Sequence, residues 1–331
     1  MTTYDEFRHY EAEIRQLQVP IYSLSHGELR VVNRAQAVAR YIQLMWLAKP
    51  NIVHGWLHYP NLIARIARPF CPPHYLITAV RAQYSPRALR SERITERLSD
   101  LRIVISENPY FNAKLRRQKP ITLKIPNAIS PEFFEEDQAT NSNTSHKANF
   151  VILMVARIDP RKDHQTLLKA LHILKIELST QLKVILIGEI TDTRTQQQLN
   201  NTITKYNLES IIHQLPPTNN ILPYYQACDI SVLPSSSEEF PNVILESFAT
   251  KTPTIVSEEA NRSGLVQPNI NGWVFPTGDS EALARSIKAA WETKMEQRVA
   301  MGEQGRLTAA QYTIEKMVVQ YEELYARTLK R

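Results

Sequence analysis

Two residue types are scarce in this chain, and both scarcities carry information. Only two cysteines, Cys71 and Cys228, occur in 331 residues. Two thiols build neither a disulfide framework nor a cysteine metal cluster, and they fit a reducing cytoplasm. Glycine is nearly as rare, with eight in the chain, whereas proteins average about 7%. Glycine lets backbone amides close on a phosphate. The glycine-rich signatures G-x-G-x-x-G and G-x-x-x-x-G-K are both absent, which excludes dehydrogenase and P-loop readings. The serines at 235–237 have no nucleophile elbow around them and read as loop. No apolar stretch is long enough to span a bilayer. The N-terminus carries Asp5, Glu6, Glu11 and Glu13 with no apolar run, so no signal-peptide pattern is visible.

What is present is an ordinary balance of 43% apolar and 22% charged residues, in a length that suits two domains with real cores. The net charge of +6 is uneven: residues 1–150 hold 20 Lys and Arg against 13 Asp and Glu, and the remainder holds 19 against 20. Arg87, Arg90, Arg93, Arg97 and Arg102, then Lys114, Arg116, Arg117 and Lys119, supply most of the excess. A basic half of this kind suggests an anionic partner, such as an acidic membrane surface. The plain alternative is a solvated helix face on which Glu92 and Glu96 pair with the arginines. Nucleic acid is disfavoured, because no aromatic residues interleave with these charges.

Residues 135–149 are polar and aperiodic and read as a linker. Beyond them, continuous apolar runs at Phe150–Val155, Lys183–Ile187, Ile230–Leu233 and Pro253–Val256 predict buried parallel strands. Helices are predicted between them at Gln165–Leu178, Gln196–Tyr206, Leu222–Ala227, Pro241–Ala249 and Ser280–Trp291. Before the linker the pattern predicts helices at Tyr4–Leu17 and Val31–Ala48, and strands at Pro20–Leu24, Asn51–Leu57, Tyr75–Val80, Leu101–Ser106 and Thr122–Ile125. An amphipathic helix at Ile314–Lys330 closes the chain. Alternation of this kind is α/β with parallel sheets.

The stretch from Ser235 to Glu246 follows a short strand and opens a helix with Pro241, read as its first residue. Glu238 and Glu246 stand eight residues apart, one in the loop and one in the helix. Acceptor carboxylates beside the electropositive start of a helix suit a ligand bearing both hydroxyls and a phosphate. The plain alternative is a surface loop feeding a core helix. Arg157 directly follows a strand read as buried, where a guanidinium without an acceptor is costly. His54 and His58, across a strand end, read as packing or hydrogen-bonding histidines rather than zinc ligands.

Glu238-x7-Glu246, with Phe240-Pro-Asn between, resembles the E-x7-E signature of the family-4 retaining glycosyltransferases, which have the GT-B fold; Glu239 stands where the family has Gly. Arg157 and Lys162 in Ala156-Arg-Ile-Asp-Pro-Arg-Lys-Asp163 resemble the family's R-L-x-x-x-K segment. Further landmarks are Ile52-Val-His-Gly-Trp-Leu, Ile125-Pro-Asn-Ala-Ile and Asn271-Gly-Trp-Val-Phe-Pro-Thr-Gly-Asp. The resemblance implies two doubly wound Rossmann-like domains facing a cleft. They are an acceptor-side domain at 1–137, a linker at 138–149, a nucleotide-sugar domain at 150–310, and a helix at 311–331 crossing back to the first domain.

By the same resemblance Arg157, Lys162 and Glu238 are the catalytic residues, the two cations contacting the donor diphosphate. Glu246 accepts from the ribose, Asn242 and Val243 meet a phosphate with their amides, and Gly188 makes the turn after the second strand. No cofactor and no metal is implied. The donor is a UDP- or GDP-linked sugar and the acceptor a glycan or a lipid-linked hydroxyl. The absence of Asp-x-Asp argues against the metal-using GT-A class. The implied role is polysaccharide biosynthesis by a cytoplasmic protein that is peripheral on the membrane.

Three departures qualify this. The family begins with a strand and a glycine-rich loop that have no counterpart here, so Pro20–Leu24 resembles its third strand, and the first domain is expected to be incomplete or completed by a partner. Glu258-Glu-Ala-Asn-Arg-Ser-Gly264 replaces a Gly-Gly segment, and Lys251 and Ala128 stand where glycine is usual. Arg81 occupies the place of a histidine near the sugar. The alternatives are a truncated, non-catalytic binding or scaffold subunit and a nucleotide-sugar epimerase.

Overall fold

A computed structural model describes residues 11–22, 24, 34–81, 86–106, 120–135, 149–178 and 182–330. The chain forms two compact units: one runs to Ile125 and takes the chain up again from Tyr321, and the other is Pro126–Gln320.

In the first unit, α1 (Glu11–Gln16) and α2 (Arg34–Ala48) precede β1 (Ile52–Trp56), α3 (His58–Ala67), β2 (Tyr75–Val80), α4 (Pro86–Thr95), β3 (Leu101–Val104) and β4 (Ile121–Lys124). All pairings are parallel and the strand order is β1-β2-β3-β4. The strand expected at Pro20–Leu24 does not form: Pro20–Tyr22 and Leu24 carry no strand, and Ser23 lies outside the described residues. Among the described residues no strand pairs with this segment. Leu24 instead buries itself with Tyr41 and Met45 of α2, and its carbonyl accepts from Arg40 Nη1 at 2.8 Å. The residues 4–10 and 31–33 of the expected helices, the basic residues Lys114–Lys119, and 138–148 of the expected linker lie outside the described residues.

Alternation along β1 divides the sheet's faces. Gly55 lies against Asn61 of α3, where a Cβ would stand 2.6 Å from Asn61 Oδ1. His54 and Trp56 point the other way, onto Tyr321 and Tyr325. On the α3 side a polar rung crosses the sheet, Thr78 in register with Arg102 and Arg102 with Thr122. Above it sits Arg65 of α3, fully buried. Its guanidinium donates to Thr78 Oγ1 at 2.9 Å, Ser99 Oγ at 2.7 Å and the Glu92 carboxylate. Arg102 donates to Glu96 at 3.1 Å and to Thr122 Oγ1 at 2.8 Å. Buried cations are tolerable only with this degree of pairing.

The second unit contains β5 (Phe150–Val155), α5 (His164–Leu178), β6 (Leu182–Ile187), α6 (Thr193–Lys205), β7 (Ile212–Leu215), α7 (Leu222–Ala227), β8 (Ile230–Leu233), α8 (Asn242–Ala249), β9 (Thr254–Ser257), β10 (Gly272–Phe275), α9 (Ser280–Glu292) and α10 (Met295–Ala309). The helix α11 (Ile314–Leu329) begins here and ends in the first unit. Six parallel strands run in the order β10-β9-β8-β5-β6-β7. The strand interiors pack in an apolar core against Leu167, Leu168 and Leu171 of α5 and Leu283 and Ile287 of α9. Asp192 and Asp279 cap α6 and α9, each accepting from a backbone amide of the first turn.

Candidate functional site

The order of the second sheet reverses between β5 and β8: from β5 the chain winds outward to β6 and β7, then returns to β8 and winds the other way. In doubly wound sheets the crevice beyond the strands' carboxyl ends at such a reversal is where ligands bind. The segments leaving β5, β6 and β8 at that end contain four of the seven residues singled out by sequence, Arg157, Lys162, Gly188 and Glu238; the other three, Asn242, Val243 and Glu246, follow in α8.

Beyond β5, Ala156 and Ile158 donate to the Ile187 and Glu189 carbonyls at 2.9 and 2.8 Å, holding Arg157 in an extended register. Its side chain is exposed. The burial expected from the preceding strand is therefore corrected: alternation turns Arg157 outward once the strand has ended. Among the described residues it makes no hydrogen bond or ion pair. The chain next forms a 3-10 turn at Pro160–Lys162, capped by Asp159, whose carboxylate accepts from Arg161 N at 2.8 Å. The Arg161 side chain, bonded to Asp159 as well, pulls that carboxyl below its ordinary range, with a smaller contribution from Arg157.

Lys162 Nζ reaches Glu238 Oε1 at 2.5 Å, and both side chains are largely buried. The two loops are joined by their backbones too, since Ser236 N and Oγ both donate to the Arg161 carbonyl, at 2.8 and 3.2 Å. Lys162 and Glu238, 76 positions apart, are thus held by fixed main-chain geometry.

Pro241 is the cap of α8 rather than its first residue, with extended backbone at φ −76° and ψ 119°. The helix starts at Asn242, one position later than expected. Asn242 is exposed; its Oδ1 accepts from Asn127 Nδ2 at 2.9 Å, and the same amide donates to the Phe240 carbonyl at 3.1 Å. Val243 follows within the first turn, half-buried. One turn further on, Glu246 Oε2 accepts from Tyr225 Oη at 2.9 Å. Burial raises the Glu246 carboxyl above its ordinary 4.5, partly offset by the bond from Tyr225. The same burial, with the neighbouring carboxylate, pushes the Tyr225 phenol well above 10.

Gly188 directly follows β6 and lies against the β5 loop. A Cβ there would lie 1.9 Å from the Ala156 carbonyl oxygen and 3.2 Å from Arg157 N. No flexible atom can yield, so only glycine fits beside Arg157.

Four contributors were not singled out by sequence. Tyr225 and Asn127 brace Glu246 and the start of α8; Ser236 joins the loops. His164, at the start of α5, is buried at 3% exposure with Nδ1 unpartnered, and burial with Lys162 nearby lowers it to about 4. A signal existed for Tyr225, because a buried glutamate needs a donor and this tyrosine lies in the helix just before β8.

In the first unit, His54 Nδ1 pairs with Tyr325 Oη at 2.7 Å, and His58 lies 3.1 Å from Glu92 and 3.3 Å from Ser91. Arg81 stacks on Trp56 at 4.4 Å and donates to Tyr321 Oη at 3.0 Å. Among the described residues no cluster of three or more His, Cys, Asp or Glu is placed to hold a metal. No described helix is long and apolar enough to cross a membrane.

Comparison with known proteins identifies related sequences and folds. The family described as Glycosyl transferases group 1 matches residues 135–308. EpsD of Bacillus subtilis (strain 168), which carries a glycosyltransferase name, is 26% identical over 242 residues, 69% of this chain and 61% of EpsD. A D-inositol 3-phosphate glycosyltransferase of Corynebacterium urealyticum is 23% identical over 300 residues, 86% of this chain and 68% of that protein. The chain spans about three fifths of the length of the first curated relatives it matches. Among solved structures, Anabaena HepE in complex with UDP and glucose superposes with a TM-score of 0.83 at 19% identity, covering 96% of this chain and 89% of that one. Sucrose-phosphate synthase from Thermosynechococcus elongatus gives 0.79 at 21% identity, covering 93% and 83%. The fold is GT-B in type, with two Rossmann-like units.

Proposed function

This chain belongs to the glycosyl transferases group 1 family, whose match covers more than half of it, and from that premise we propose that it is a retaining, metal-independent glycosyltransferase of hexosyl type. It moves a sugar from a nucleotide donor to a hydroxyl of a glycan or lipid-linked acceptor. The observation that carries this reading is the Lys162–Glu238 pair, held at the sheet's reversal point beside exposed Arg157.

Transfer forms a bond between the acceptor oxygen and the anomeric carbon and breaks the bond from that carbon to the diphosphate oxygen. The departing diphosphate takes the acceptor's proton on the same face, so configuration is retained. Negative charge grows on the leaving oxygen, and Arg157 and Lys162 stabilise that charge more than they stabilise the ground state. As the diphosphate takes up the Lys162 charge, Glu238 is released to accept from hydroxyls of the sugar. Glu246, with one oxygen occupied by Tyr225, offers the other to the ribose. The amides of Asn242 and Val243 open α8 toward a phosphate, and Gly188 leaves room beside Arg157. The UDP bound by HepE supports uracil as the donor's base.

The test is transfer from UDP- and GDP-sugars with product stereochemistry read by NMR, repeated with EDTA. Arg157→Ala with Lys162→Ala should lower turnover by about 10² or more; near-wild-type rates in the double variant would overturn the assignment. A chain that binds UDP yet transfers nothing is a non-catalytic binding subunit. An isomerised sugar among the products formed without acceptor identifies an epimerase, whereas hydrolysis of the donor excludes the non-catalytic reading.

A further inference from the structure

We propose that the outer face of α4 and of the 3-10 turn Glu96–Leu98 that follows it docks on a membrane surface rich in anionic lipid. The argument begins inside the first unit. Arg65 is fully buried and needs a carboxylate, which Glu92 of α4 supplies while also receiving His58 at 3.1 Å. Arg102, on the sheet beneath, draws Glu96 inward in the same way at 3.1 Å. Both glutamates are buried. They are therefore unavailable to the arginines on the opposite side of the helix, and the reading in which Glu92 and Glu96 neutralise a solvated surface is corrected.

The outward face consists of Arg87, Arg90, Arg93 and Arg97, all exposed; the described ion pairs of this region join Glu92 to Arg65 and His58 and Glu96 to Arg102, and none includes these four. Between and after them stand Ile94, 77% exposed, and Leu98, 38% exposed. Positions 87, 90, 94, 97 and 98 recur at steps that share one helix face. The segment thus carries its carboxylates on one side and, on the other, four guanidiniums that pair with no described carboxylate, with two aliphatic side chains among them.

That mixture matches the chemistry of an acidic bilayer. Guanidinium forks pair with lipid phosphates, and aliphatic groups beside them enter the headgroup boundary. A nucleic acid would offer the same phosphates, but its bases need aromatic platforms, and this face has none. The charge of the chain agrees, since the excess of Lys and Arg lies in the first 150 residues.

Sedimentation of the full chain with phosphatidylcholine vesicles, with and without phosphatidylglycerol, tests the proposal. Binding is expected only with phosphatidylglycerol and is expected to fade with added salt. Each Arg→Gln change at 87, 90, 93 or 97 should lower partitioning roughly fivefold, and Ile94→Ser a few-fold. Thermal melting confirms that the variants fold; should the fourfold variant fail to, Arg90→Gln and Arg93→Gln alone carry the same expectation. Equal binding to neutral vesicles, or undiminished binding by the folded variants, overturns it. So does loss of binding when Lys114, Arg116, Arg117 and Lys119 are changed to Gln instead, or binding to an RNA oligonucleotide in preference to vesicles. None of these readouts uses transfer activity, so the proposal stands or falls separately from the enzymatic reading.

Discussion

The two sheets are both parallel but are wound and filled differently. The sheet of the second unit starts centrally at β5, goes one way, and returns to go the other. The four described strands of the first unit advance in one direction, β1 to β4, with no reversal. The second sheet encloses a large apolar cluster and, at β8 and β9, only uncharged hydroxyls, Ser231 and Thr254 bonded to Ser247, whereas the first unit encloses Arg65 and Arg102 with their glutamates. A reversal leaves a crevice, and a core without buried charge leaves the ionised residues free to line it. In the first unit the carboxylates of α4 are consumed in balancing internal charge, and its outer surface becomes basic as a result.

The sharpest way to test that contrast is nucleotide binding. Glu246→Gln should weaken UDP by roughly ten- to hundredfold, the loss of a charged acceptor for hydroxyls, while Arg81→Ala in the first unit should leave UDP affinity unchanged by calorimetry. The same Glu246→Gln change should raise the melting temperature at neutral pH. The sign follows from the raised carboxyl: stability is complete below the ordinary 4.5 and falls as pH rises through the higher folded value. If Arg81→Ala costs as much UDP affinity as Glu246→Gln, the division of labour is wrong.

Acid titration compares the units next. Each holds a histidine lowered to about 4, His54 by burial and Arg81, His164 by burial and Lys162. Both depressed values mean stability that is present above the ordinary 6.5 and lost as pH falls toward 4. His164→Gln should flatten the acid limb by up to about 3 kcal/mol, read from urea unfolding at successive pH values. An unchanged limb would show that His164 is not held neutral.

The smallest effect concerns Leu57, which caps α3 at φ 71° and ψ 171°, a region open essentially to glycine alone. Leu57→Gly should stabilise the protein by about 1 kcal/mol, strain relief exceeding the added freedom of the unfolded chain. A lower melting temperature in this variant would mean that packing of Leu57 outweighs the backbone strain.

Much of the second unit was legible because continuous apolar runs such as Phe150–Val155 and Ile230–Leu233 have no other economical use than a buried parallel strand. Pairing could not be read so easily. β7, Ile-His-Gln-Leu, escaped notice because His213 and Gln214 are exposed on a sheet edge. Helix α10 was missed for a different reason: it packs through small residues, with Gly305 against the Phe248 ring and Gly302 against the Lys251 carbonyl, and such a stripe lacks the aliphatic periodicity that marks a helix. Pro20–Leu24 looked like a strand by composition, but a strand exists only where a neighbour completes its hydrogen bonds. At the site, residue types and spacing identify Lys162, Glu238 and Glu246, and Asn127 lies in a marked landmark; that Asn127 and Tyr225 brace Asn242 and Glu246 comes from contacts between distant segments, which spacing does not encode.

The shortage of glycine reappears in the backbone itself. Gln18, Lys49, Leu57, Asp163, Asn207, Lys251 and Asn269 all adopt positive φ, alongside Gly264 and Gly278. Side chains at these corners tax the native state enthalpically while leaving the denatured chain with fewer conformers to explore. The two effects oppose each other in free energy, and only the first lowers the enthalpy of unfolding. Heat absorbed on melting should therefore be low for a protein of this length, even where the transition temperature itself is unexceptional.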